Sequence, residues 1–370
     1  MSTAGRHEFE VAVVGAGVVG CAIALALARR GVRVALLEAE AEPALGASGT
    51  NSGILHTGFD SVPGQLETEL ILASATAREP LLDELGIPVL RCGAVMHGDS
   101  RRLESLVANA RRNGVAARTP DEQTLEVPGE AVTDPVVYTR ALAAEAERQG
   151  ADLQLGFALA AVESGMRLRA EDGRALQAKL LVNSAGLFAD AVARLLGDES
   201  FAIYPRKGEF LVFDLPGYGP PEKILLPVPS ERTKGVLVFP TIDGKTVAGP
   251  TALDLEDKRD WSVRPQAREE ILAKAVSMYP ALEDAEPVAA YAGLRPAGRG
   301  VNYVIGRSRA CPELVNVAAI RSTGLTASAG IADRVAGLVG DLGVDLRRPK
   351  DLIGGPLPRL EHPWWQKQAA

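Results

Sequence analysis

Three glycines and one acidic residue have the spacing of a dinucleotide-binding turn. Gly15, Gly17 and Gly20 form a G-x-G-x-x-G motif between an apolar β-rich segment and a strong helix former, and Glu38 ends the next apolar segment. In such a turn the first glycine permits the tight bend, the second lets a pyrophosphate approach the backbone, and the third lets helix and strand pack closely. Glu38 would accept hydrogen bonds from ribose hydroxyls and repel a 2′-phosphate, which disfavours NADP. The alternative is a purely structural glycine turn, which leaves Glu38 without a role.

A run of small residues follows this unit directly and favours FAD over NAD. Residues 46–53 have the sequence Gly-Ala-Ser-Gly-Thr-Asn-Ser-Gly and continue through two apolar residues to His56. Such a run can lie flat against a large ring system and donate backbone N–H groups to it, whereas a plain NAD domain needs no such segment. We call residues 46–56 the flavin loop. The alternative, on composition alone, is a flexible surface loop.

The segment GASGTNSGILHTGFDSVPGQL, residues 46–66, resembles the flavin-contacting segment of the D-amino-acid-oxidase-like superfamily of FAD-dependent oxidoreductases. Within that superfamily it is most similar to the branch of L-2-hydroxyglutarate oxidases and glycerol-3-phosphate dehydrogenases. Further segments match in the family's order: LVNSAGLFAD (181–190), LVFPTIDGKTVAGPTALD (237–254), AGLRPAG (292–298) and IRSTGLTASAGIADRVAGLV (320–339). The resemblance covers most of residues 9–340 and implies a FAD-dependent dehydrogenase or oxidase.

Residue by residue, the resemblance implies which positions hold FAD, bound non-covalently. The ADP half belongs to the glycine motif and Glu38. A helix amino end on the pyrimidine side of the flavin would stabilise the negative charge that a hydride leaves at N1 and the C2 oxygen. Ordinary helix capping by Thr326 or Ser328 is the alternative there. The remaining implied contacts are Ser48, Asn51 and Ser52 along the pyrophosphate and flavin, Ala185 and Gly186 in a close loop, and Gly324, Leu325 and Thr326 at the start of the last helix.

Two arginines are the candidates for binding an anionic substrate. The resemblance places Arg295, in the segment GLRP, at the position that binds the substrate acid, and Arg321 at a second anion or flavin contact. A guanidinium matches a carboxylate or a phosphate with two parallel hydrogen bonds. Without the resemblance, each arginine would be interpreted as part of a surface salt bridge.

His56 is the candidate general base among the four histidines of the chain. Imidazole is the side chain best suited to accept a proton near neutral pH, and an alcohol must lose its hydroxyl proton as hydride leaves the carbon. A neutral amine needs no such base, so a histidine here favours CH–OH substrates. The alternatives are a structural histidine that packs on the flavin and a covalent attachment point for FAD.

These residues predict hydride transfer to flavin N5 from the CH–OH carbon of a small anionic substrate, a 2-hydroxy acid or a polyol or sugar-acid phosphate. The alternatives are an amino-acid or secondary-amine oxidase of the same superfamily and a non-catalytic electron-transfer flavoprotein. Hydroxyglutarate-type relatives have LKAKL where residues 66–70 are LETEL, which argues against a dianionic substrate if that helix faces the active-site mouth. Longer relatives append a cysteine-rich iron–sulfur domain that this sequence does not contain. Electrons are therefore expected to pass directly to oxygen, a quinone or a carrier protein.

The elements that must position these residues predict an α/β fold. Strand 9–14, helix 18–30 and strand 33–38 make a Rossmann βαβ unit, whereas residues 201–260 have the Pro- and Gly-punctuated strands typical of an antiparallel sheet. Further helices are predicted at 66–85, 100–112, 135–149, 264–278 and 324–340. We expect a discontinuous Rossmann-type FAD-binding domain (1–85, 140–200 and 290–345), a smaller substrate domain with a mixed or antiparallel sheet (86–139 and 201–289) and a C-terminal tail (346–370).

Composition places the protein among globular chains and argues against several partners. The 370 residues carry a net charge of −7, which opposes a general nucleic-acid or anionic-membrane surface. Three cysteines without metal-ligand spacing argue against a metal site and fit a reducing, cytoplasmic compartment. The sequence predicts no transmembrane segment, because glycines interrupt the one long apolar stretch. The tail is expected to be loose, with Trp364 and Trp365 packed on their own domain or, alternatively, on a partner or membrane surface.

Overall fold

The computed structural model describes residues 8–228 and 235–366. The helices are α1 (Val18–Ala28), α2 (Leu66–Glu84), α3 (Ser100–Arg112), α4 (Pro135–Arg148), α5 (Ala189–Arg194), α6 (Ala267–Met278) and α7 (Gly324–Asp341). The strands are β1 (Phe9–Val14), β2 (Val34–Leu37), β3 (Ile54–Leu55), β4 (Val89–Leu90), β5 (Ala94–His97), β6 (Arg118–Asp121), β7 (Thr124–Val127), β8 (Ala131–Thr133), β9 (Asp152–Gln154), β10 (Leu159–Glu163), β11 (Arg167–Ala170), β12 (Ala175–Asn183), β13 (Ile203–Phe213), β14 (Ile224–Leu226), β15 (Leu237–Pro240), β16 (Thr246–Gly249), β17 (Leu253–Asp254), β18 (Ala289–Gly298), β19 (Val304–Arg307) and β20 (Leu314–Ala318).

An eight-stranded sheet carries the glycine turn. Strands β9, β2, β1, β12 and β20 lie side by side in that order and are parallel, while β10, β11 and β19 add antiparallel edges. The central strands are mostly apolar, and β2 and β20 are buried along their length, as expected for a parallel sheet covered on both faces. Val14 pairs with both Leu37 and Asn183. The carboxyl ends of β1, β2 and β12 therefore meet at one edge of the sheet.

Helix α1 begins directly after the glycine turn and is covered by α4 and α7. Its sequence is apolar nearly all round, which suits a helix buried between two others. It ends at Ala28, two residues before the predicted end, because the chain turns at Gly31 with φ of 78°. Within the parts of the chain that the structure describes, no helix has the length and apolarity to cross a membrane.

A nine-stranded sheet forms the second layer of the molecule. Its strands follow the order β17, β13, β16, β15, β14, β5, β7 and β6, with β18 also paired to β13. All neighbours are antiparallel except β5 and β14. The long pair of β13 and β18 places Arg206 opposite Arg295 and Gly208 opposite Gly293. The predicted architecture, a Rossmann-type sheet with a second mixed sheet, is confirmed.

The C-terminal tail is bound to the rest of the protein, so the prediction of a loose tail was wrong. The N–H groups of Ile353 and Gly354 donate to the buried carboxylate of Glu145 on α4. Farther along, Trp364 and Trp365 are each only 4% exposed and pack in the core beside the second sheet. As far as Gln366, where the described part of the tail ends, it has no regular structure apart from one short 3₁₀ turn, so its sequence pattern does not reveal these contacts. The predicted domains and tail include residues 1–7, 229–234 and 367–370, which lie outside the described residues.

Candidate active site

In the glycine turn between β1 and α1, the first and third glycines leave no room for a side chain, whereas the middle glycine has space around it. Gly15 has a φ of 96°, and a Cβ on it would lie 2.7 Å from the carbonyl oxygen of Ser184. A Cβ on Gly20 would overlap the carbonyl oxygen of Gly15. At Gly17 a Cβ would meet only Ser48 Oγ, at 3.1 Å. The outer two glycines are thus required by packing, while the middle one leaves the space through which a pyrophosphate would approach.

An acid and a hydroxyl lie beside this turn. Glu38 follows β2 at the carboxyl edge of the sheet, and its Oε2 accepts the N–H of Ala16 at 2.6 Å. Burial raises the pKa of Glu38, although hydrogen bonds from backbone N–H groups oppose the rise. Ser48 Oγ accepts the N–H of Val18, at the start of α1, at 2.9 Å. This edge therefore combines N–H donors for phosphate with a carboxylate that can accept from ribose hydroxyls.

The loop after β12 comes to the same edge. Asn183 Nδ2 donates to Asn316 Oδ1 at 3.0 Å, which fixes the ends of β12 and β20 together. The Cα of Ala185 would lie 3.1 Å from a Cβ built on Gly15, so the loop touches the glycine turn. Gly186 has a φ of 54° and open space around it. The structure brings Ala185 and Gly186 to the glycine turn and Glu38, as their predicted cofactor contact requires.

The flavin loop runs from the amino end of α1 to the amino end of α7. Ser48 bonds to α1, and Asn51 Nδ2 donates at 3.1 Å to a backbone carbonyl just before α7. Ser52 is half-buried between them and the strand that follows. A Cβ on Gly324 would lie 3.7 Å from a side chain of α1, so the two helix ends are neighbours. A ligand that spans both helix ends would lie along this loop.

Hydrogen bonds to a buried side chain hold the first turn of α7 in place. Leu325 and Thr326 are buried, and Thr326 Oγ1 accepts the N–H of His56 at 3.0 Å and donates to the carbonyl of Ile54 at 3.3 Å. Thr326 therefore ties β3 to α7 and does not cap the helix. The residue at the N-cap position, Thr323, provides no side-chain cap either. The backbone N–H groups of this turn, and not the Thr326 side chain, are what α7 offers to a flavin.

His56 is paired with a buried glutamate that the sequence analysis did not single out. The antiparallel register of β3 and β8 pairs Leu55 with Ala131, and its continuation places His56 opposite Glu130. His56 Nδ1 lies 2.9 Å from Glu130 Oε2. Glu130 Oε1 accepts the N–H and the hydroxyl of Thr57 at 2.7 and 2.8 Å. The Glu130 side chain is fully buried and that of His56 is 13% exposed.

His56 also borders a small, partly open cavity. The other described residues that line it are mostly apolar: Phe59, Met96, Leu226, Pro227 and Leu237, with Asp60 as the remaining polar residue. Arg295 is not among the described residues that line it. The structure thus places the largely buried His56 ring at a small cavity, but it does not bring His56 and Arg295 into one lined cavity.

Arg295 lies on the face of β18 that is turned toward the flavin loop. Gly293, two residues earlier on the same face, lies against Thr50, since a Cβ there would be 3.0 Å from the Thr50 carbonyl oxygen. The guanidinium extends over Gly208 and donates to the carbonyl of Thr251 at 3.0 Å. In residues 8–228 and 235–366, no carboxylate lies within 4 Å of it.

The positive charge of Arg295 is crowded. Burial, together with the positive charges of Arg206 and Arg321, lowers the pKa of Arg295 to about 10, which leaves the guanidinium charged at neutral pH. Arg206, directly opposite across the strand pair, is itself bonded to Asp254 at 3.0 Å. Like charges that face each other across a strand pair are destabilising. A cation held in this way is suited to bind an anion.

Arg321 has an acidic neighbour. Its Nη2 lies 3.8 Å from Glu67 Oε2, and its side chain is 44% exposed. Glu67 also accepts the hydroxyl of Thr323 at 2.6 Å and the amide of Asn302 at 2.6 Å. The start of α2, with the sequence LETEL, therefore faces the start of α7. Glu67 neutralises part of the charge with which Arg321 was predicted to bind substrate.

Sequence reasoning missed two participants at this site and left the place of a third open. Glu130 and Arg206 contact or oppose predicted residues that are far away along the chain, while Glu67, in the LETEL segment singled out above, proves to lie beside Arg321. For Glu130 the only local signal is an acid in front of a short apolar segment, which predicts a strand edge and not a contact with His56. For Arg206 the signal is the strand register, which the sequence does not specify.

These features fit the predicted FAD. Two helices, α1 and α7, present amino ends without a cap from their own N-cap side chains. Gly17 and Gly186 leave open space, and Glu38 lies beside the turn. Backbone N–H groups, glycines and one carboxylate are the donor set that a flavin dinucleotide needs.

The chain matches the family model described as DAO, FAD dependent oxidoreductase, over residues 10–338. The glycerol 3-phosphate dehydrogenase of Caloramator mitchellensis is 28% identical over 347 residues, which are 88% of this chain and 72% of that protein. The glycerol 3-phosphate oxidase of Mycoplasma pneumoniae is 26% identical over 87% of this chain and 92% of its own. The L-2-hydroxyglutarate dehydrogenase of Escherichia coli K12 is 26% identical over 66% of this chain and 64% of its own.

Solved structures show the same fold. The dithionite-reduced L-α-glycerophosphate oxidase from Mycoplasma pneumoniae with FAD bound superposes with a TM-score of 0.86 at 24% identity, over 95% of this chain and 99% of that one. Glycine oxidase from Bacillus cereus gives a TM-score of 0.78 at 20% identity, over 91% and 96%. The family match spans both sheets and every residue of the candidate site. This chain belongs to the DAO family of FAD-dependent oxidoreductases.

Proposed function

We propose that this protein oxidises the CH–OH group of a small anionic substrate, either a polyol phosphate such as glycerol 3-phosphate or a 2-hydroxy acid. The observation that carries the proposal is Arg295, a half-buried guanidinium that is crowded by two arginines and faces the flavin loop. Relatives named glycerol 3-phosphate dehydrogenase and oxidase, which align with more than four fifths of the chain, support the phosphate.

Arg295 and His56 have separate roles in the proposed reaction. Bound FAD supplies the acceptor for a hydride equivalent. Arg295 binds the anionic group and so orients the carbon that carries the hydroxyl. His56 takes the hydroxyl proton at Nε2, the ring nitrogen that Glu130 does not contact, as the C–O bond becomes a carbonyl. The His56 side chain is only 13% exposed and has apolar neighbours, which limits the access of water to that proton.

The charge balance around Arg321 supports a substrate with one anionic end. Glu67 lies 3.8 Å from Arg321, so this second arginine has less charge to offer a second carboxylate. A substrate with carboxylates at both ends, such as L-2-hydroxyglutarate, would bring one of them toward Glu67. We therefore propose glycerol 3-phosphate or a monocarboxylic 2-hydroxy acid over L-2-hydroxyglutarate.

Anaerobic titration of the FAD-loaded protein tests this proposal. We expect glycerol 3-phosphate or a small 2-hydroxy acid to bleach the absorbance of oxidised flavin, and re-aeration then shows whether oxygen accepts the electrons. Glycine, proline and iminodiacetate are the matched amine arm, because solved structures of similar fold include glycine oxidase, L-proline dehydrogenase and iminodiacetate oxidase. Bleaching by amines alone would replace the proposal with an amine oxidase. No bleaching by any of these classes would favour a non-catalytic flavoprotein.

A further inference from the structure

We propose that Glu130 is a positioning residue that holds the His56 ring proton on Nδ1, so that the lone pair of Nε2 is available to the substrate. The geometry does not depend on the proposed function. Only the use made of Nε2, removal of a substrate proton, rests on that function. Glu130 reaches His56 across the β3–β8 register, from a position 74 residues away along the chain.

The carboxylate of Glu130 is held in one orientation. Its Oε1 accepts two hydrogen bonds from Thr57, one from the backbone and one from the hydroxyl. Rotation of the carboxylate would break both bonds in a fully buried place, where an unsatisfied donor is costly. Oε2 is therefore kept aimed at His56 Nδ1, 2.9 Å away.

His56 is held from the backbone as well. Its N–H donates to Thr326 Oγ1 at 3.0 Å, so the residue is fixed between β8 on one side and the first turn of α7 on the other. Within the described ranges, Nε2 has no hydrogen-bond partner, and the ring borders the cavity. One ring nitrogen is thus occupied by a buried acid and the other is left for a ligand.

An ionised carboxylate only accepts hydrogen bonds, so it selects the ring tautomer with hydrogen on Nδ1. When Nε2 takes a proton, the ring becomes a cation beside an anion in a region of low dielectric constant, which stabilises the product of proton transfer. The buried Arg78 guanidinium of α2 is the other charge that acts with Glu130, while burial and then Glu130 raise the pKa of the Cys92 thiol after β4. Arg78 also donates to the carbonyl of Thr326 at 2.9 Å, so it belongs to the same buried assembly.

Glu130→Gln separates orientation from simple packing. The Gln oxygen can still accept both bonds from Thr57, but its amide would donate to Nδ1 and move the ring proton to Nε2. We expect ring ¹⁵N NMR of the FAD-loaded protein to show this inversion, and a chain with four histidines allows assignment through His56→Asn. With a substrate in hand, kcat should fall by about 10²–10⁴-fold while KM changes by less than about 3-fold. Glu130→Asp keeps the carboxylate and should restore part of kcat.

Glu145→Gln is the matched control, since Glu145 is an equally buried glutamate that accepts bonds from Gln149 and the tail, away from His56. It should reduce stability without changing the His56 tautomer or kcat. The inference is overturned if Glu130→Gln leaves the proton on Nδ1, or if its kcat equals that of Glu145→Gln. The NMR result decides the tautomer even if only amines reduce the flavin, so failure of the proposed function and failure of this inference are distinguishable.

Discussion

Some charged residues at the candidate site lie in positions that do not favour the stability of the fold. Arg295 lies on the face of β18 opposite another arginine, and burial and its neighbours lower its pKa to about 10. A half-buried charge with no carboxylate within 4 Å among the described residues costs stability, and such an arrangement indicates an anionic ligand. Glu67 shows the opposite arrangement, because its carboxylate reduces the charge of Arg321 at the start of α7.

Arg295→Met tests this balance, because methionine keeps most of the side-chain length and removes the charge. We expect the free energy of unfolding to stay the same or to rise by up to about 1 kcal/mol, since Arg206 and Arg321 no longer oppose a half-buried cation. The same change should raise the KM of an anionic substrate by about 100-fold through loss of a charge-assisted contact. Thermal unfolding and steady-state kinetics measure the two effects. Arg299→Met, at an exposed arginine bonded to Glu256, is the control, and a destabilised Arg295→Met with unchanged KM would contradict the assignment.

Glu67→Gln tests the charge at Arg321. Glutamine can still accept from Thr323, while the loss of the carboxylate leaves Arg321 with more positive potential. We expect KM for an anionic substrate to fall by about 2- to 5-fold at low salt, and the gain to shrink as ionic strength rises. Kinetics at two salt concentrations measure this, with Glu79→Gln on the exposed part of α2 as the control. A KM that does not change at either salt concentration would show that Arg321 does not face the substrate.

At the scale of elements, the site is made by the ends of strands and helices. The parallel register brings the ends of β1, β2 and β12 together, and packing of α1 against α7 brings two helix amino ends to the same edge. Each amino end carries partial positive charge from its helix dipole, which favours an anionic ligand. The glycine turn is what lets these elements approach each other closely.

Two alanine substitutions separate packing from binding in that turn. Gly20→Ala should unfold or strongly destabilise the protein, because its Cβ would overlap the Gly15 carbonyl. Gly17→Ala should fold, because its Cβ meets only the movable Ser48 Oγ, but it should weaken FAD binding by at least about tenfold through loss of close approach. Thermal unfolding of the FAD-free protein and FAD titration by fluorescence distinguish the two. Equal stability with equal FAD affinity in both variants would refute these separate roles.

At the scale of the whole molecule, the tail joins the two layers. It bonds to Arg30 after α1 through the N–H of Arg347, then to Glu145 on α4, and reaches the second sheet with Trp364. Although burial opposes it, hydrogen bonds from Ile353, Gln149 and Arg148 lower the pKa of Glu145, so the carboxylate favours the bound tail at neutral pH. Trp364 stacks edge-on against Tyr291, at 5.1 Å between ring centroids, on the strand that carries Arg295.

Trp364→Ala tests the contribution of the tail. Removing a buried tryptophan should lower the free energy of unfolding by about 3–5 kcal/mol and loosen the strand that positions Arg295. We therefore expect a lower unfolding temperature and faster proteolysis of the tail. Tyr218→Ala, at an aromatic residue that is 77% exposed, is the control and should change neither. A stable Trp364→Ala with a protease-resistant tail would show that the tail is held by its hydrogen bonds alone.

Features with a local cause could be predicted from short stretches of the sequence. A tight turn that needs glycine, a helix that must pack closely on a strand, and an acid at the end of the next strand act within one βαβ unit, so Gly15, Gly17, Gly20 and Glu38 were predictable as a group. Apolar runs without alternation likewise predicted a parallel sheet covered on both faces. The flavin loop and the start of α7 were added by resemblance, which carries information that periodicity does not.

Contacts between residues that are far apart along the chain depend on how the whole protein folds. His56 faces Glu130 because of the β3–β8 register, Arg295 faces Arg206 because of the β13–β18 register, and a shift of one residue in either would turn these side chains to opposite faces. The tail is ordered because buried acceptors and an apolar surface elsewhere in the chain receive it. Strand register and long-range burial depend on the packing free energy of the whole molecule, and no short segment of the sequence specifies that free energy.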